Sequence, residues 1–332
     1  MTTEQESVAV AQSENEAFYG ATLTMDSSPH IHHSATTTKV MADVLIALTP
    51  AYVWSIFVFG FSAFLMPLLG VVSAVLFEYV TQKILKKPIT VGDLSAAVTG
   101  LLIGFNLPAN DSYFLPVVGA AFAIIVVKQL FGGIGRNFVN PALAARVFLF
   151  LSWPSKMTNY PAPFAREFGD VVASATPRGG AAVSLLDLFL GKCGGSIGEI
   201  SALLLLVGAA YLLIRRVITW HIPAAYIGTV ALVTFLFPHT GGFFNGQYML
   251  TELLTGGLML GALFMATDYV TSPITPRGRL IFGAGCGLLT VFFRYFGSYP
   301  EGVSFAILVM NCLVHYIDRV TRPRVFGGGK RA

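Results

Sequence analysis

The residues best suited to hold an anionic group lie in the longest polar interruption of this chain, residues 155–195. There Thr176 follows the small residues Ser174 and Ala175 and precedes Pro177, Arg178, Gly179 and Gly180, with Asp170 a little upstream. Small side chains let a bulky phosphate approach, arginine offers a planar fork of donors, and glycine exposes backbone N–H groups. The same composition also describes an ordinary Pro/Gly/Ser turn. The pattern therefore takes its meaning from its surroundings.

A second stretch, residues 128–142, carries amides. Gly132, Gly133 and Gly135 permit tight non-helical backbone, and Asn140 followed by Pro141 has the form of a helix start. Asn137 and Asn140 each donate and accept, which suits the edge of a heterocycle such as an isoalloxazine ring. Helix capping alone is the other reading of the same pair. The stretch is not a GxGxxG turn after a strand, so a Rossmann dinucleotide site is excluded.

A third stretch, residues 266–279, is rich in hydroxyls and holds Asp268, again suited either to a cofactor or ion or to capping. Asp43, Glu78, Asp93, Glu252 and Glu301 also fall within or at the ends of apolar segments, where a carboxylate is costly and points by default to ion handling, although most lie near span ends where they can reach water or cap a helix. Cys193, Cys286 and Cys312 have no CxxC spacing, so the chain alone assembles neither a zinc site nor an iron–sulfur cluster. His30, His32 and His33, ahead of the first apolar segment, read as a surface stretch.

These groups must be positioned by membrane segments. Of 332 residues, 55% are hydrophobic and 11% charged, and the mean hydropathy is +0.70. Soluble globular chains are about 25% charged. The chain is predicted to be an all-α polytopic membrane protein with no nucleic-acid-binding surface, its non-protein partner being the lipid bilayer. Ten spans are predicted, at 40–59, 63–80, 94–107, 113–127, 141–153, 197–214, 222–237, 250–266, 280–293 and 303–317.

With the N-terminus inside, five of the 21 basic residues (Lys156, Arg166, Arg178, Lys192 and Arg294) fall outside. Arg146 lies within a span and the rest fall inside. The positive-inside rule then puts both termini in the cytoplasm and the Thr176 loop on the opposite side.

The two halves repeat. Thr99-Gly100 is matched by Thr255-Gly256, and Lys128 before Phe131-Gly132 by Arg294 before Phe296-Gly297. Five spans per half, an odd number, make the second copy inverted, an arrangement that binds something at the repeat interface. The expected organisation is a cytoplasmic tail at 1–39, a first repeat at 40–153, an extracytoplasmic loop at 154–196, a second repeat at 197–318 and a basic cytoplasmic tail at 319–332.

Taken together, several stretches resemble the RnfD/NqrB family of ion-translocating electron-transport complexes. They are Ser28-Pro29-His30, residues 41–50, 132–142 and 170–177, Thr267-Asp268 with Thr271-Ser272-Pro273, and residues 299–306. The resemblance runs from residue 28 to about residue 318. It implies flavin mononucleotide (FMN) joined through its phosphate to a threonine, a phosphoester made by a separate flavin transferase.

The family motif is roughly Asp-x-x-Ser/Thr-Gly-Ala-Thr. Asp170, Ala175 and Thr176 match it, while Ala173 and Ser174 depart from it. Thr176 is the implied attachment site, with Ser174 and Arg178 beside it. The resemblance also implies a second, non-covalent flavin, riboflavin, in the membrane part. Asn137 and Asn140, with Gly132, Gly133 and Gly135, are the residues to hold it.

The implied function is that of a flavin-carrying membrane subunit in the Rnf complex. That complex moves electrons between ferredoxin and NAD⁺ and drives Na⁺ or H⁺ outward, with RnfA, RnfB, RnfC, RnfE and RnfG as partners. No complete active site is expected in this chain alone. The repeat by itself also fits a small-solute channel, a secondary transporter or a non-redox scaffold subunit.

Overall fold

The computed structural model describes residues 36–109, 112–164, 184–239, 243–297 and 302–323. Among them the fold is helical, with a single isolated bridge between Pro108 and Ser196. Residues 37–332 cluster as one compact unit.

The first half holds α1 (Thr37–Phe59), α2 (Phe61–Ile84), α3 (Ser95–Phe105), α4 (Phe114–Gln129) and α5 (Pro141–Ser152). Two short helices follow, α6 (Pro154–Met157) and α7 (Leu185–Leu190). The second half holds α8 (Ala202–Ile214), α9 (His221–Leu236), α10 (Gly246–Leu254), α11 (Leu258–Met265), α12 (Pro276–Phe296) and α13 (Val303–Thr321).

Each of the ten apolar segments thus carries a helix. Four of them, α1, α2, α12 and α13, are long and apolar enough to cross a bilayer on their own. A fifth candidate is α10 with α11, bent by 66° at the break between them. The consecutive left-handed glycines Gly256 and Gly257 make that break. The chain is a multi-pass membrane protein.

Burial has a membrane pattern. Outward faces carry Phe57, Val72, Leu76, Leu232, Leu288 and Phe292, while Ser55, Ser73, Thr234 and Thr290 are buried. Without water outside, helices associate through close packing and internal hydrogen bonds rather than by hiding apolar surface. Small residues set the closest contacts. Gly100 and Gly104 of α3 lie directly against Gly70 and Pro67 of α2, where a Cβ would collide with backbone. Gly208 of α8 meets Ala47 of α1 and so joins the two halves.

The sixth segment differs from its predicted bounds. Its helix begins at Ala202, with Ser201 accepting from the Leu204 N–H, and not at residue 197. The preceding residues turn inward without helical structure. The Gly198 N–H donates to the Phe105 carbonyl at 2.8 Å and the Ile197 N–H to the Leu107 carbonyl at 3.0 Å. The buried turn thereby satisfies carbonyls at the end of α3. Its polar, glycine-bearing sequence belongs to a backbone that needs partners, and α3 supplies them.

Candidate functional site

The site is a cleft with about 810 Å³ of empty space, including its open mouth. Its walls come from both halves. Apolar faces are supplied by Val44 of α1, Val98 and Leu102 of α3, Leu212 of α8, Ile218, and Phe264 of α11. Polar groups enter from Ser95, Lys128, Asn137, Asn140, Thr267 and Asp268.

Local sequence explains how these side chains arrive. The second part of α4, Phe122–Gln129, is wound as a π-helix. One widened turn lets consecutive residues face inward, and both Lys128 and Gln129 are buried. The Lys128 ammonium lies 2.7 Å from Glu78 Oε1 and donates to Ser95 Oγ at 2.6 Å. Ser95 in turn donates to Asp93 at 2.5 Å. Beyond α4 the chain doubles back through Gly132, Gly133 and Gly135, all with positive φ. That turn delivers Asn137 and Asn140 to the cleft, while the three glycines themselves do not line it.

The two asparagines differ. The Asn140 side-chain oxygen accepts from Ala142 and Leu143 at the start of α5, and its amide donates to the Met265 carbonyl at 3.1 Å. Its side chain caps and cross-links as well as lining the cleft. Asn137 donates to the Val139 carbonyl at 3.1 Å. Its side-chain oxygen has no protein partner among the described residues.

On the opposite wall Asp268 accepts from Thr271 Oγ1 at 3.1 Å. Enclosure pushes its carboxyl above the usual range, partly offset by the bonds from Thr271 and from the Val270 and Tyr269 backbone. Buried Arg146, which does not line the cleft, donates to Asn106 Oδ1 at 2.8 Å, where α3 ends.

The remaining carboxylates named for ion handling are largely engaged. Asp43 accepts from Tyr211 at 2.8 Å and pairs with Arg215 at 3.2 Å. Glu252 pairs with Arg294 at 2.9 Å. Arg294 is therefore an interior helix residue rather than a loop charge, and the same holds for Lys128. Glu301 and residues 165–183, which include Asp170, Ser174, Ala175, Thr176 and Arg178, lie outside the described residues.

Sequence reasoning placed Asn137, Asn140 and Asp268 at functional stretches, and the fold brings them together. It missed the role of Lys128, which it counted only as a cytoplasmic charge. The signal was present in the match between Lys128 and Arg294, because a basic residue repeated at the same point of two membrane halves needs an internal partner.

The cleft joins mainly apolar walls to polar groups from Lys128, Asn137 and Asp268. Residues 24–327 match the NQR2, RnfD, RnfE family. The chain belongs to that family. Over 314 residues it is 47% identical to a subunit of the Na⁺-translocating ferredoxin:NAD⁺ oxidoreductase complex of Acetobacterium woodii, covering 92% of this chain and 95% of the relative. Over 320 residues it is 40% identical to the corresponding subunit of the proton-translocating complex of Clostridium ljungdahlii, covering 92% and 96%. Over 335 residues it is 39% identical to a subunit of an ion-translocating oxidoreductase complex of Stutzerimonas stutzeri, covering 88% and 93%.

Proposed function

We propose that this chain is the flavin-carrying membrane subunit of an ion-translocating ferredoxin:NAD⁺ oxidoreductase complex. The observation that carries the reading is near full-length identity, at 47% and 40%, to the equivalent subunits of two such complexes. The relatives are named for different ions, so ion translocation is the property they share. The partners are the other Rnf subunits, RnfA, RnfB, RnfC, RnfE and RnfG, and a flavin transferase for maturation.

The protein lies in the cytoplasmic membrane and crosses it ten times, in two inverted five-helix repeats. Both termini are in the cytoplasm and the Thr176 loop is outside. The helix at each of ten apolar segments supports the number of crossings, and the bias of basic residues supports the orientation.

Two flavin sites follow. Thr176 receives FMN through a phosphoester, in the setting of Asp170, Ser174, Ala175 and Arg178. The cleft takes riboflavin. A flavin accepts one or two electrons, which is the chemistry such a group supplies when bound. This chain's residues do the rest. Val98, Leu102, Ile218 and Phe264 form apolar faces that exclude water. Asn137 offers a side-chain oxygen, and Lys128 and Asp268 bring opposite formal charges to the polar edge.

The test is in-gel flavin fluorescence of denatured protein, co-expressed with a flavin transferase, beside Thr176→Val. A band that vanishes in the variant is the expected result. Fluorescence surviving the substitution would move the attachment elsewhere. No band in either, with the transferase active on a known acceptor, would remove the covalent flavin and favour a channel or transporter.

A further inference from the structure

Lys128 and Glu78 form a buried ion pair with a direction. Their side chains are 4% and 1% exposed, and Lys128 Nζ lies 2.7 Å from Glu78 Oε1. Lys128 lines the cleft while Glu78 stands behind it. Glu78 is held there by Gln129 Nε2 at 2.8 Å and Gln82 Nε2 at 3.3 Å, both donating to the same Oε1. Its Oε2 is buried with no partner among the described residues. Of the three ammonium N–H groups, one goes to Glu78 and one to Ser95. The third has no protein partner among the described residues.

A pair this dry is a poor device for stability alone, because desolvation offsets most of the attraction. An oriented pair does, however, leave a field on its open side. Here the positive end faces the cleft. The other charged group on the cleft wall is Asp268, from the opposite half.

We propose that the Lys128–Glu78 pair is an electrostatic tuning element whose positive end favours the reduced form of the flavin in the cleft. The inference rests on the riboflavin reading of that cleft. Two electrons and one proton added to an isoalloxazine leave it with one negative charge, whereas two electrons and two protons leave it neutral. The electrons come from the complex's own ferredoxin–NAD⁺ reaction. A cation at the ring edge stabilises the anionic product over the neutral oxidised ring, so the reduced form binds more tightly. Lys128 is in this sense a positioning and tuning residue, and Glu78 acts through it.

The experiment uses the purified complex after removal of non-covalent flavin, with riboflavin as the probe. Equilibrium dialysis under anaerobic conditions gives one dissociation constant for oxidised riboflavin and another for dithionite-reduced riboflavin. The wild type should bind the reduced form at least about tenfold more tightly, and for a two-electron couple tenfold corresponds to about 30 mV. Lys128→Gln should abolish the preference, and Glu78→Gln should increase it. Lys128→Arg should keep it.

The double replacement Lys128→Met with Glu78→Met leaves no unpaired charge, so it tests the idea in a protein free of that folding defect. It should bind both forms alike. A ratio unchanged in Lys128→Gln and in the double variant overturns the tuning role. A ratio that moves the same way in Lys128→Gln and Glu78→Gln also overturns it, since a merely structural pair would do that. Failure of the wild type to bind riboflavin in either state overturns instead the assignment of the cleft.

Discussion

Arg294 of α12 reaches into the break between α10 and α11. Its NH1 donates to Glu252 Oε2 at 2.9 Å and to the Glu252 carbonyl at 2.7 Å, while NH2 donates to the Thr255 carbonyl at 2.9 Å and the Gly256 carbonyl at 3.4 Å. These carbonyls lie at the end of α10, where a cation is favoured by the helix dipole. Replacing Arg294 by methionine strands a buried carboxylate and removes a donor from three carbonyls. Loss of one partner of a buried pair costs about 3–5 kcal/mol.

Glu252→Gln is a smaller perturbation. It removes the anion yet leaves the guanidinium its carbonyl acceptors, so the cost should be about 1–2 kcal/mol. Thermal melting of the purified complex, followed by tryptophan fluorescence, reads the contrast. At about 2–4 °C per kcal/mol, Arg294→Met should lower the transition by roughly 10 °C and Glu252→Gln by a few degrees. Arg294→Lys should fall between, having charge without the fork. Equal losses in Arg294→Met and Glu252→Gln would refute the reasoning, because they would make the ion pair, and not the carbonyls, the reason for the arginine.

Two further outcomes test the packing and the thiols. Gly100→Ala should destabilise by about 1–3 kcal/mol, because its Cβ would collide with Gly70 backbone. Gly92→Ala, in open space, should be close to neutral in the same melting assay. Burial, with Glu199 and Asp187 nearby, pushes the Cys193 thiol from 9.0 up to about 12. At pH 8 the folded protein should then hold about a thousandfold less thiolate at this position than a free thiol. In a variant with Cys286 and Cys312 replaced by alanine, iodoacetamide labelling should be correspondingly slow until the protein is denatured. The folded state keeps this proton between pH 9 and 12 while the unfolded chain loses it, so stability falls as pH rises through that window.

Helix positions were legible because apolar run length fixes them, and every predicted segment holds a helix. The ends were less so. Ile197 and Ile200 beside the next apolar run suggest an earlier helix start, but Gly198 and Ile197 use their N–H groups on the end of α3. A backbone partner so far away in sequence leaves no local trace. The cleft was half legible. Asn137, Asn140 and Asp268 stood out because amides and acids are scarce in such a chain. That Asn140 spans from the α5 cap to the Met265 carbonyl depends on α11 arriving from the other half. Lys128 looked like a topology marker because its burial follows from a π-turn, and hydropathy does not encode such a turn.

The two halves meet one requirement in two ways. In each, a basic residue near the end of a helix, Lys128 in α4 and Arg294 in α12, binds a buried glutamate and further polar groups of the same half. Lys128 takes Glu78 and Ser95, and Arg294 takes Glu252 with Thr255 and Gly256. Both terminal nitrogens of the arginine end on fixed acceptors, while its buried Nε has no partner among the described residues. Lysine leaves one N–H without a partner among the described residues, and the cleft opens beside it. The first half takes its sharp turn after this residue through Gly132, Gly133 and Gly135. The second takes its sharp turn between α10 and α11, through Gly256 and Gly257. The same pairing therefore yields an internal staple in one half and a charged cleft wall in the other, because Lys128 lines the cleft and Arg294 does not.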